Sequence, residues 1–504
     1  MGTAVVLDAG ALGIDDVVAV ARHNARVEIG PVARQRLAAA RAVVEDVVER
    51  GAVVYGVNTG FGELSRVRIP EGDLATLQRN LIFSHSAGVG EPLPREVVRA
   101  MLLLLAASLA RGYSGVRPLV VEQIVGLLNN DVTPLVPARG SVGASGDLAP
   151  LAHIGLVLLG EGEATVGGER LPGRAALERG GLQPLALAAK EGLAIINGTH
   201  LMAAAGALAV HDARTLIESA EVAAAMALEG LRGTDVPFDE RIHAVRRQPG
   251  QGATAAHMRA LLEGSEIIPS HRTDDPRVQD PYSLRCIPQV IGAVRDTVAH
   301  CAGVIEAELD AVTDNPLCFP ESGAVLSGGN FHGQPVAMAL DILAIALSEL
   351  AAFSERRTYL LLDDHEPEQN RLPAFLAAEP GLNSGYMIAQ YTAAALVAEN
   401  AVLATPAGLH SVPTSAGMED FVSMGATAAL KLRTILENVR HVLAIELLCA
   451  AAGVEYRRPL RAGQGVEEGL KRVRDLVPPL LQDRPLHPDI AALARAVYEG
   501  RFVL

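Results

Sequence analysis

Long segments with helical spacing of apolar residues dominate the second part of the chain. Between residues 333 and 357 the apolar positions recur at intervals of four and three, which places them in one stripe along a helix: Val336, Leu340, Leu343, Leu347 and Leu350. The segment 425–453 repeats this spacing with Leu432, Leu436, Val439 and Leu443. Three further stretches are rich in alanine and poor in interior proline, which favours helix: 201–231, 288–313 and 387–407. These segments predict a mainly α fold with a long central helical bundle.

The first 200 residues differ from the rest, because turns dense in glycine and proline interrupt shorter helical patterns. We therefore divide the chain into an N-terminal region, 1–200, and a long-helix bundle with the C-terminal region, 201–504. A low-complexity linker is missing between them, so we expect one cooperative unit. Alanine and glycine occupy several sides of the long helices, which predicts burial on several faces and favours a homo-oligomer.

Composition excludes several classes of function and location. The 504 residues carry a formal net charge of −15, which argues against nucleic acid as a partner. The four cysteines form no C-x-x-C motif, which is typical of reduced thiols in a cytoplasmic protein. The N-terminus lacks a basic segment of the secretory type, and the longest apolar run, 101–110, is shorter than the ~20 residues of a membrane span. The sequence thus predicts a cytoplasmic protein without a membrane partner.

Two polar segments are interpreted as structural. The acidic run from Asp363 to Glu368 has side chains of the kind that bind metals, but adjacent residues on a loop with proline rarely converge on one ion, so we expect a solvated surface and no metal. The run from Asp310 to Pro316, which contains Thr313, Asp314 and Asn315, is typical of a turn that ends a helix. We assign no catalytic role to it.

The glycine-rich segment Gly140 to Pro150 carries the most specific signal for function. Its structural interpretation is a turn before a helix, with Asp147 as N-cap and Pro150 in the first turn. A phosphate-binding loop is disfavoured, since the glycine spacing is not that of dinucleotide-binding proteins and no Gly-Lys-Ser/Thr follows.

The chemical interpretation of this segment is modification of its own backbone. The amide nitrogen of Gly146 can attack the carbonyl carbon of Ala144, and loss of two waters, one of them from Ser145, leaves a ring with an exocyclic methylidene. Glycine lacks a Cβ that would block this approach, and the serine supplies the hydroxyl that is eliminated. We expect Asp147 to take part in proton transfer, and the positive end of the following helix to stabilise negative charge at the ring.

The segment Gly140–Pro150 resembles the signature of the aromatic amino acid lyase family, and in particular its histidine-specific members. Further motifs of that family occur in the family's order between residues 55 and 425: Tyr55-Gly-Val-Asn58-Thr-Gly-Phe-Gly62, Ser84-His85-Ser-Ala-Gly-Val-Gly90, Asn197-Gly-Thr199, Gln279-Asp-Pro-Tyr282-Ser-Leu-Arg285, Gly328-Gly-Asn330-Phe331-His332-Gly333 and Glu419-Asp420. The resemblance covers nearly the whole chain. It implies a mostly helical homotetramer that acts on a small-molecule amino acid substrate, here L-histidine, and releases ammonia and trans-urocanate.

The resemblance also implies a cofactor and roles for individual residues. The methylidene-imidazolone ring formed from Ala144, Ser145 and Gly146 would accept the substrate's amine, so that no external cofactor is needed. Tyr55 resembles the catalytic base, with Glu419 as competitor, and its pKa would have to be lowered by positive neighbours. Arg285 resembles the carboxylate anchor.

The remaining positions concern the polar shell and the substrate side chain. Asn197, Gln279 and Tyr282 resemble the groups that hold the ring and the substrate's amine and carboxylate, and Tyr282 is counted among the catalytic residues. Phe331 would form a wall of the pocket. His85 and Glu419 stand where the histidine-specific members carry groups that face the imidazole, and a carboxylate there would be desolvated without a partner beside a phenyl ring.

The motif around Glu419 departs from the family's pattern. Histidine-specific members usually read Asn-Gln-Glu-Asp-His, whereas this chain has Gly417, Met418, Glu419, Asp420 and Phe421. Histidine at position 85 also occurs in tyrosine-specific members. Alternatives therefore remain open: a tyrosine or phenylalanine ammonia-lyase, a β-aminomutase with the same ring, and, from a different class, a catalytically silent homologue.

Overall fold

The structure is a computed structural model that describes residues 4–8, 10–273, 275–363 and 372–504; for Glu63 the backbone alone is described. Within these residues the chain is mainly helical. The α-helices are α1 (Ile14–His23), α2 (Pro31–Glu49), α3 (Leu74–His85), α4 (Arg95–Ala110), α5 (Pro118–Asn129), α6 (Leu148–Leu158), α7 (Gly173–Arg179), α8 (Glu191–Ile196), α9 (His200–Gly230), α10 (Glu240–Arg246), α11 (Pro249–Leu261), α12 (Tyr282–Arg285), α13 (Ile287–Leu309), α14 (Gln334–Leu362), α15 (Met387–Leu403), α16 (Gly425–Glu455), α17 (Gln464–Arg474) and α18 (His487–Tyr498).

The strands of the described residues are short. They are β1 (Val5–Leu7), β2 (Val27–Ile29), β3 (Val89–Pro92), β4 (Val132–Pro134), β5 (Pro137–Arg139), β6 (Glu163–Val166), β7 (Glu169–Pro172), β8 (Leu317–Phe319) and β9 (Ala324–Leu326). Strands β1 and β2 pair in parallel, whereas β3–β5, β4–β6–β7 and β8–β9 are antiparallel. These small sheets connect helices and leave the core to helix packing.

The predicted long helices are confirmed. The stripe of α14 from Val336 to Leu350 is buried, and so is that of α16 from Leu432 to Leu443. The alanine-rich stretches form α9, α13 and α15. Alternating intervals of three and four residues keep these side chains on one face of a helix. The pattern alone was therefore sufficient to predict these helices and their buried faces.

The chain forms two compact units, each assembled from three separate stretches. Unit 1 comprises Met1–His211, Ala302–Asp341 and Pro406–Leu430, and it contains all the strands named above. Its core includes α4, in which the whole run from Val97 to Ala110 is buried. Unit 2 comprises Asp212–Cys301, Ile342–Thr405 and Lys431–Leu504. The predicted regions 1–200 and 201–504, and their behaviour as one cooperative unit, stay a prediction.

Two helical segments of the described residues are long and apolar enough to cross a membrane by length and composition: Gln334–Leu362 and Met387–Leu409. The apolar run 101–110 that the sequence analysis considered lies in neither segment. In the most apolar part of the first segment 61% of the residues are buried, which is typical of a helix in a protein core, against 17% in the second. The second segment thus leaves an apolar face exposed.

Candidate active site

The loop that contains Ala144, Ser145 and Gly146 is a tight turn in unit 1. Ser145 has a φ of +52° and Gly146 a φ of +78°, both in the left-handed region. A Cβ on Gly146 would lie 2.1 Å from the carbonyl oxygen of Gly198, so the position accepts glycine alone. A non-glycine residue with positive φ, such as Ser145, costs free energy and is retained where the surrounding structure holds it.

The segment Asn197–Gly198 holds this turn from one side. The amide nitrogen of Asp147 donates to the carbonyl oxygen of Gly198 at 2.7 Å, and the amide nitrogen of Gly198 donates to the carbonyl oxygen of Ser145 at 3.3 Å. The hydroxyl of Ser145 donates to Oδ1 of Asn197 at 2.7 Å. Of the predicted site residues, Ser145 and Asn197 are therefore in direct contact.

Asp147 occupies the N-cap position of α6, but its side chain makes no capping bond there, which corrects the sequence interpretation. Oδ2 instead accepts the amide hydrogens of Leu201 and Met202 at 3.0 and 3.1 Å, in the first turn of α9. Oδ1 accepts the hydroxyl of Ser141 at 3.0 Å. Burial nevertheless raises the pKa of Asp147 to about 6, because these donors only partly replace the lost hydration. This carboxyl can gain and lose a proton near neutral pH beside the ring-forming loop.

A second segment, 414–424, holds the loop from the other side. The amide nitrogen of Met424 donates to the carbonyl oxygen of Val142 at 2.9 Å, and a Cβ on Gly143 would lie 2.1 Å from Oγ of Ser423. Within the segment, the backbones of Thr414 and Glu419 form an antiparallel bridge. The hydroxyl of Thr414 donates to Oε2 of Glu419 at 2.7 Å. The sequence analysis missed Thr414, since a hydroxyl five residues before a carboxylate has no characteristic pattern.

Glu419 is close enough to His85 and Tyr55 to influence both side chains. Burial lowers the pKa of His85, although the carbonyl oxygen of Leu81 and the charge of Glu419 oppose this effect. Nδ1 of His85 lies 2.9 Å from that carbonyl oxygen, which can only accept, so Nδ1 carries the proton. The ring is then neutral near pH 7, and Nε2 is left as an acceptor.

The pKa of Tyr55 is raised, mainly by burial and further by Glu419, whereas a hydrogen bond with the backbone of Gly62 opposes the rise. This direction is the opposite of the one that the sequence analysis required for a tyrosine base. The positive neighbours expected there are not among the groups that influence Tyr55 within the described residues. Unit 1 thus brings Tyr55, His85 and Glu419 together but keeps the phenol protonated at neutral pH.

Three predicted site residues belong to unit 2. Gln279 is exposed, and Tyr282 is 69% exposed at the start of α12. The guanidinium of Arg285 lies 4.7 Å from the centre of the Tyr282 ring. Nε of Arg285 is buried and finds no hydrogen-bond partner within the described residues.

The residues that depart from the family's pattern lie on the exposed side of the segment 414–424. Met418 and Phe421 are each 59% exposed. The rings of Phe421 and His332 are nearly parallel, with centres 6.1 Å apart, and Nε2 of His332 lies 3.2 Å from the carbonyl oxygen of Phe421. Phe331, the predicted wall of the pocket, directly precedes His332 in the sequence and is partly buried. Phe421 therefore provides a stacking surface where a histidine is usual.

A metal site is not supported by the part of the chain that the structure describes, in which His, Cys, Asp and Glu side chains form no group of three or more that could hold an ion. Of the acidic run proposed as solvated surface, positions 364–368 lie outside the described residues.

Comparison with known proteins agrees with the motifs. The profile of the family described as "Aromatic amino acid lyase" matches residues 12–475. A protein from Anaeromyxobacter sp. (strain K) named histidine ammonia-lyase is 55% identical over 503 residues, which are 98% of each chain. Among solved structures, histidine ammonia-lyase from Trypanosoma cruzi has a TM-score of 0.92 at 43% identity and covers 99% of this chain and 94% of its own. Tyrosine aminomutase from Streptomyces globisporus has a TM-score of 0.94 at 38% identity and covers 99% and 98%. The chain thus belongs to the aromatic amino acid lyase family.

Proposed function

We propose that this carbon–nitrogen lyase removes ammonia from L-histidine without oxidation and releases trans-urocanate. The observation that carries the proposal is the position of the Glu419 carboxylate, which influences both Tyr55 and His85 within the unit that holds the loop 144–146. Relatives named histidine ammonia-lyase that match nearly the whole chain support it. A carboxylate and a neutral histidine are suitable partners for the two nitrogens of an imidazole.

The ring-forming residues fit the methylidene-imidazolone. In its formation a bond joins the nitrogen of Gly146 to the carbonyl carbon of Ala144. The carbonyl oxygen leaves as one water with the hydrogens of the Gly146 and Ser145 amide nitrogens, and a double bond forms between this carbon and the nitrogen of Ser145. A hydrogen on Cα and the hydroxyl on Cβ of Ser145 leave as the second water, and a double bond forms between these carbons. No oxidant or external cofactor enters the balance. Once formed, the group supplies an electrophile for the substrate's amine.

Binding of the amino acid backbone is assigned on the family's pattern. We expect Arg285 to hold the substrate's carboxylate, because a guanidinium can donate to two carboxylate oxygens at once. Gln279, Tyr282 and Asn197 would complete the polar shell, and Phe331 would form part of the wall. His85 would accept one N–H of the substrate's imidazole at Nε2 and Glu419 would accept the second, which requires the imidazole in its protonated form.

Removal of the β-hydrogen needs a base, for which Tyr55 and Glu419 are the candidates. Because the pKa of Tyr55 is raised, the phenol can act as a base only if a positive charge that arrives with the substrate offsets burial. The variants Tyr55→Phe and Glu419→Gln separate the two. If the rise of kcat with increasing pH, which reports deprotonation of the base, is lost in the phenylalanine variant, the base is Tyr55; if that rise persists there and is lost in Glu419→Gln, the base is Glu419.

A β-aminomutase is the second candidate, favoured by the similarity to tyrosine aminomutase at a TM-score of 0.94. It would share the ring and would return ammonia to the β-carbon. His85 is compatible with a phenol as well as an imidazole, whereas Glu419 favours the imidazole because a carboxylate without a hydrogen-bond donor is costly to bury.

We further propose a cytoplasmic homotetramer, as in the family. Supporting this assembly, α15 exposes Ile388, Tyr391 and Val402 by 60%, 63% and 75%, and their spacing places them on one side of the helix. An exposed apolar face of this kind is typical of a subunit interface. Nucleic acid and membrane are not expected as partners.

The decisive experiment is a substrate panel. Purified protein is incubated with L-histidine, L-tyrosine and L-phenylalanine, and ammonia, a conjugated ultraviolet-absorbing acid and β-amino acids are measured. Formation of urocanate from histidine supports the proposal, whereas a β-amino acid without net ammonia would assign an aminomutase. Ser145→Ala should assemble normally and lose most turnover, since it lacks the hydroxyl to be eliminated. Glu419→Gln should lose more activity with histidine than with phenylalanine; equal losses would mean that Glu419 does not bind the imidazole.

A further inference from the structure

We infer that the buried ion pair between Lys190 and Asp314 is a positioning device for Asn197, and through Asn197 for the formation of the ring from Ala144, Ser145 and Gly146. The inference rests on the proposed function and adds two residues outside the site described above. Asp314 belongs to the run 310–316, which the sequence analysis interpreted as a turn without a catalytic role.

The pair is fully enclosed in unit 1. Nζ of Lys190 lies 2.6 Å from Oδ2 of Asp314, and the two side chains are exposed by 0% and 2%. Oδ1 of the same carboxylate accepts the amide hydrogen of Asn315 at 2.6 Å and an Nδ2 hydrogen of Asn197 at 3.2 Å. Burial of two charged groups costs desolvation free energy, so a buried ion pair indicates a structural or functional role.

The carboxylate settles which way the Asn197 amide faces. Nδ2 of Asn197 donates to Oδ1 of Asp314 and, at 3.1 Å, to the carbonyl oxygen of Asn315. Both partners can only accept, so a flipped amide would place its oxygen against two other oxygens. Oδ1 of Asn197 is consequently fixed toward Ser145, whose hydroxyl it accepts at 2.7 Å.

The backbone around the pair supports the same interpretation. Lys190 and Asn197 flank α8, and Lys190 has a φ of +69°, in the left-handed region. Lysine in this conformation costs free energy, which the buried pair offsets by holding the side chain in place. Gly198, directly after Asn197, is the residue whose backbone bonds to Ser145 and Asp147. One short helix thus links the ion pair to the ring-forming turn.

Ring formation depends on this geometry because the Ser145 hydroxyl must leave as water while Cα loses its hydrogen. Asn197 fixes the Ser145 hydroxyl, and Asp314 with Lys190 fixes Asn197. A displacement of about 1 Å at a reacting group can lower a rate on the order of a hundredfold. Lys190 and Asp314 contact neither the loop atoms that react nor, in the proposed function, the substrate, so they are positioning residues.

The test variant is the double substitution Lys190→Met with Asp314→Asn, which removes both charges and leaves neither buried alone. The matched control is Arg357→Met with Glu446→Gln, which neutralises another fully buried pair, joined at 2.9 Å, in unit 2. Ring formation is followed by intact mass, as the deficit of two waters, during the hours after rapid expression and purification. The turnover rate is then divided by the fraction of protein molecules that carry the ring.

In the test variant we expect ring formation to be slower by on the order of tenfold or more, and kcat per ring to fall while KM changes little. The control should form the ring at the wild-type rate. Wild-type ring formation and kcat in the test variant would overturn the inference, and so would an equal loss in the control. If the double variant does not fold, Asp314→Asn alone is used, because the buried lysine can lose its proton and the amide at 314 keeps the size of the side chain while it is a weaker acceptor for Asn197 than a carboxylate. A slower mass change there supports the inference, and an unchanged one overturns it.

Failure of the proposed function is separate from failure of this inference. A wild-type protein without the mass deficit would contradict the proposed function itself. A wild-type protein with the deficit, together with a test variant that forms the ring equally fast, would contradict the inference alone.

Discussion

The Glu419 carboxylate is held by a single side-chain hydrogen bond within the described residues, from the hydroxyl of Thr414 to Oε2 at 2.7 Å. That bond leaves Oε1 for other partners. Thr414→Val keeps the shape of the side chain and removes the donor. We expect kcat/KM for histidine to fall by about tenfold or more, because a hydrogen bond to a charged acceptor contributes about 1.5–3 kcal/mol.

Thr414→Ser is the matched control for this prediction, since it keeps the hydroxyl and should retain most activity. The ring content, measured as the mass deficit, should be the same in both variants. Equal activity of the valine and serine variants would show that the hydroxyl does not orient Glu419.

Asp147 gives a prediction about pH and stability. Because burial raises the pKa of this carboxyl to about 6, the folded chain binds its proton more tightly than the unfolded chain does. The stabilisation by that proton is complete below the unfolded pKa near 4 and is lost as the pH rises through about 6. Asp147→Asn is neutral at every pH, and its amide oxygen can still accept from Leu201 and Met202.

The free energy of unfolding of Asp147→Asn, relative to the wild type, should therefore rise by about 2–3 kcal/mol from about pH 4 to about pH 8. Denaturant unfolding at several pH values measures this difference. A difference that does not change with pH would contradict the raised pKa.

At the level of residues, the sequence motifs predicted which residues form the candidate site but not which hydrogen bonds these residues make. Ser145 and Asn197 were both predicted, yet their hydrogen bond joins positions that are 52 residues apart, and only the fold can supply it. Asp147 was expected to cap the helix that follows it, because local sequence indicates local partners. Two of its donors belong to α9, more than 50 residues further on, and the third is the hydroxyl of Ser141.

At the level of elements, the ring-forming turn depends on the close approach of two backbones. A Cβ on Gly146 would lie 2.1 Å from a carbonyl oxygen, and Gly146 has a positive φ. We expect Gly146→Ala to prevent the turn from closing, so that the protein shows neither the mass deficit nor turnover. The control is Gly72→Ala, where the added Cβ meets no atom within 4 Å and φ is not positive.

Normal ring content in Gly146→Ala would show that the turn tolerates a side chain and would contradict the described geometry. Loss of activity in Gly72→Ala would instead indicate a general effect of the added methyl group.

Long helices and short strands differ in how well the sequence predicts them. In α14 and α16 the apolar side chains repeat over many turns, so the period identifies both the helix and its buried face. Every strand of the described residues has three or four residues, too few for an alternation to stand out. The helix α8, with six residues, has no such period either, although it connects Lys190 to Asn197.

At the level of the whole molecule, the apolar side of α15 predicts assembly. Tyr391→Asp places a charge among Ile388, Val402 and the helix's other exposed apolar groups, and should shift the protein from tetramer to smaller species. Light scattering during size-exclusion chromatography measures the change. Val245→Asp, at a position that is 83% exposed on α10, is the control and should remain tetrameric. An unchanged mass for Tyr391→Asp would place the subunit interface elsewhere.

The order of the chain determines when the electrophile can arise. The loop at 144–146 is held by Asn197 and Gly198, by Asp314 through Asn197, and by Ser423 and Met424. A growing polypeptide lacks the last two contacts until Ser423 and Met424 have left the ribosome. We therefore expect cyclisation to follow synthesis of this segment, so that a product truncated before Ser423 would lack the methylidene that thiols and amines of the cell could otherwise attack.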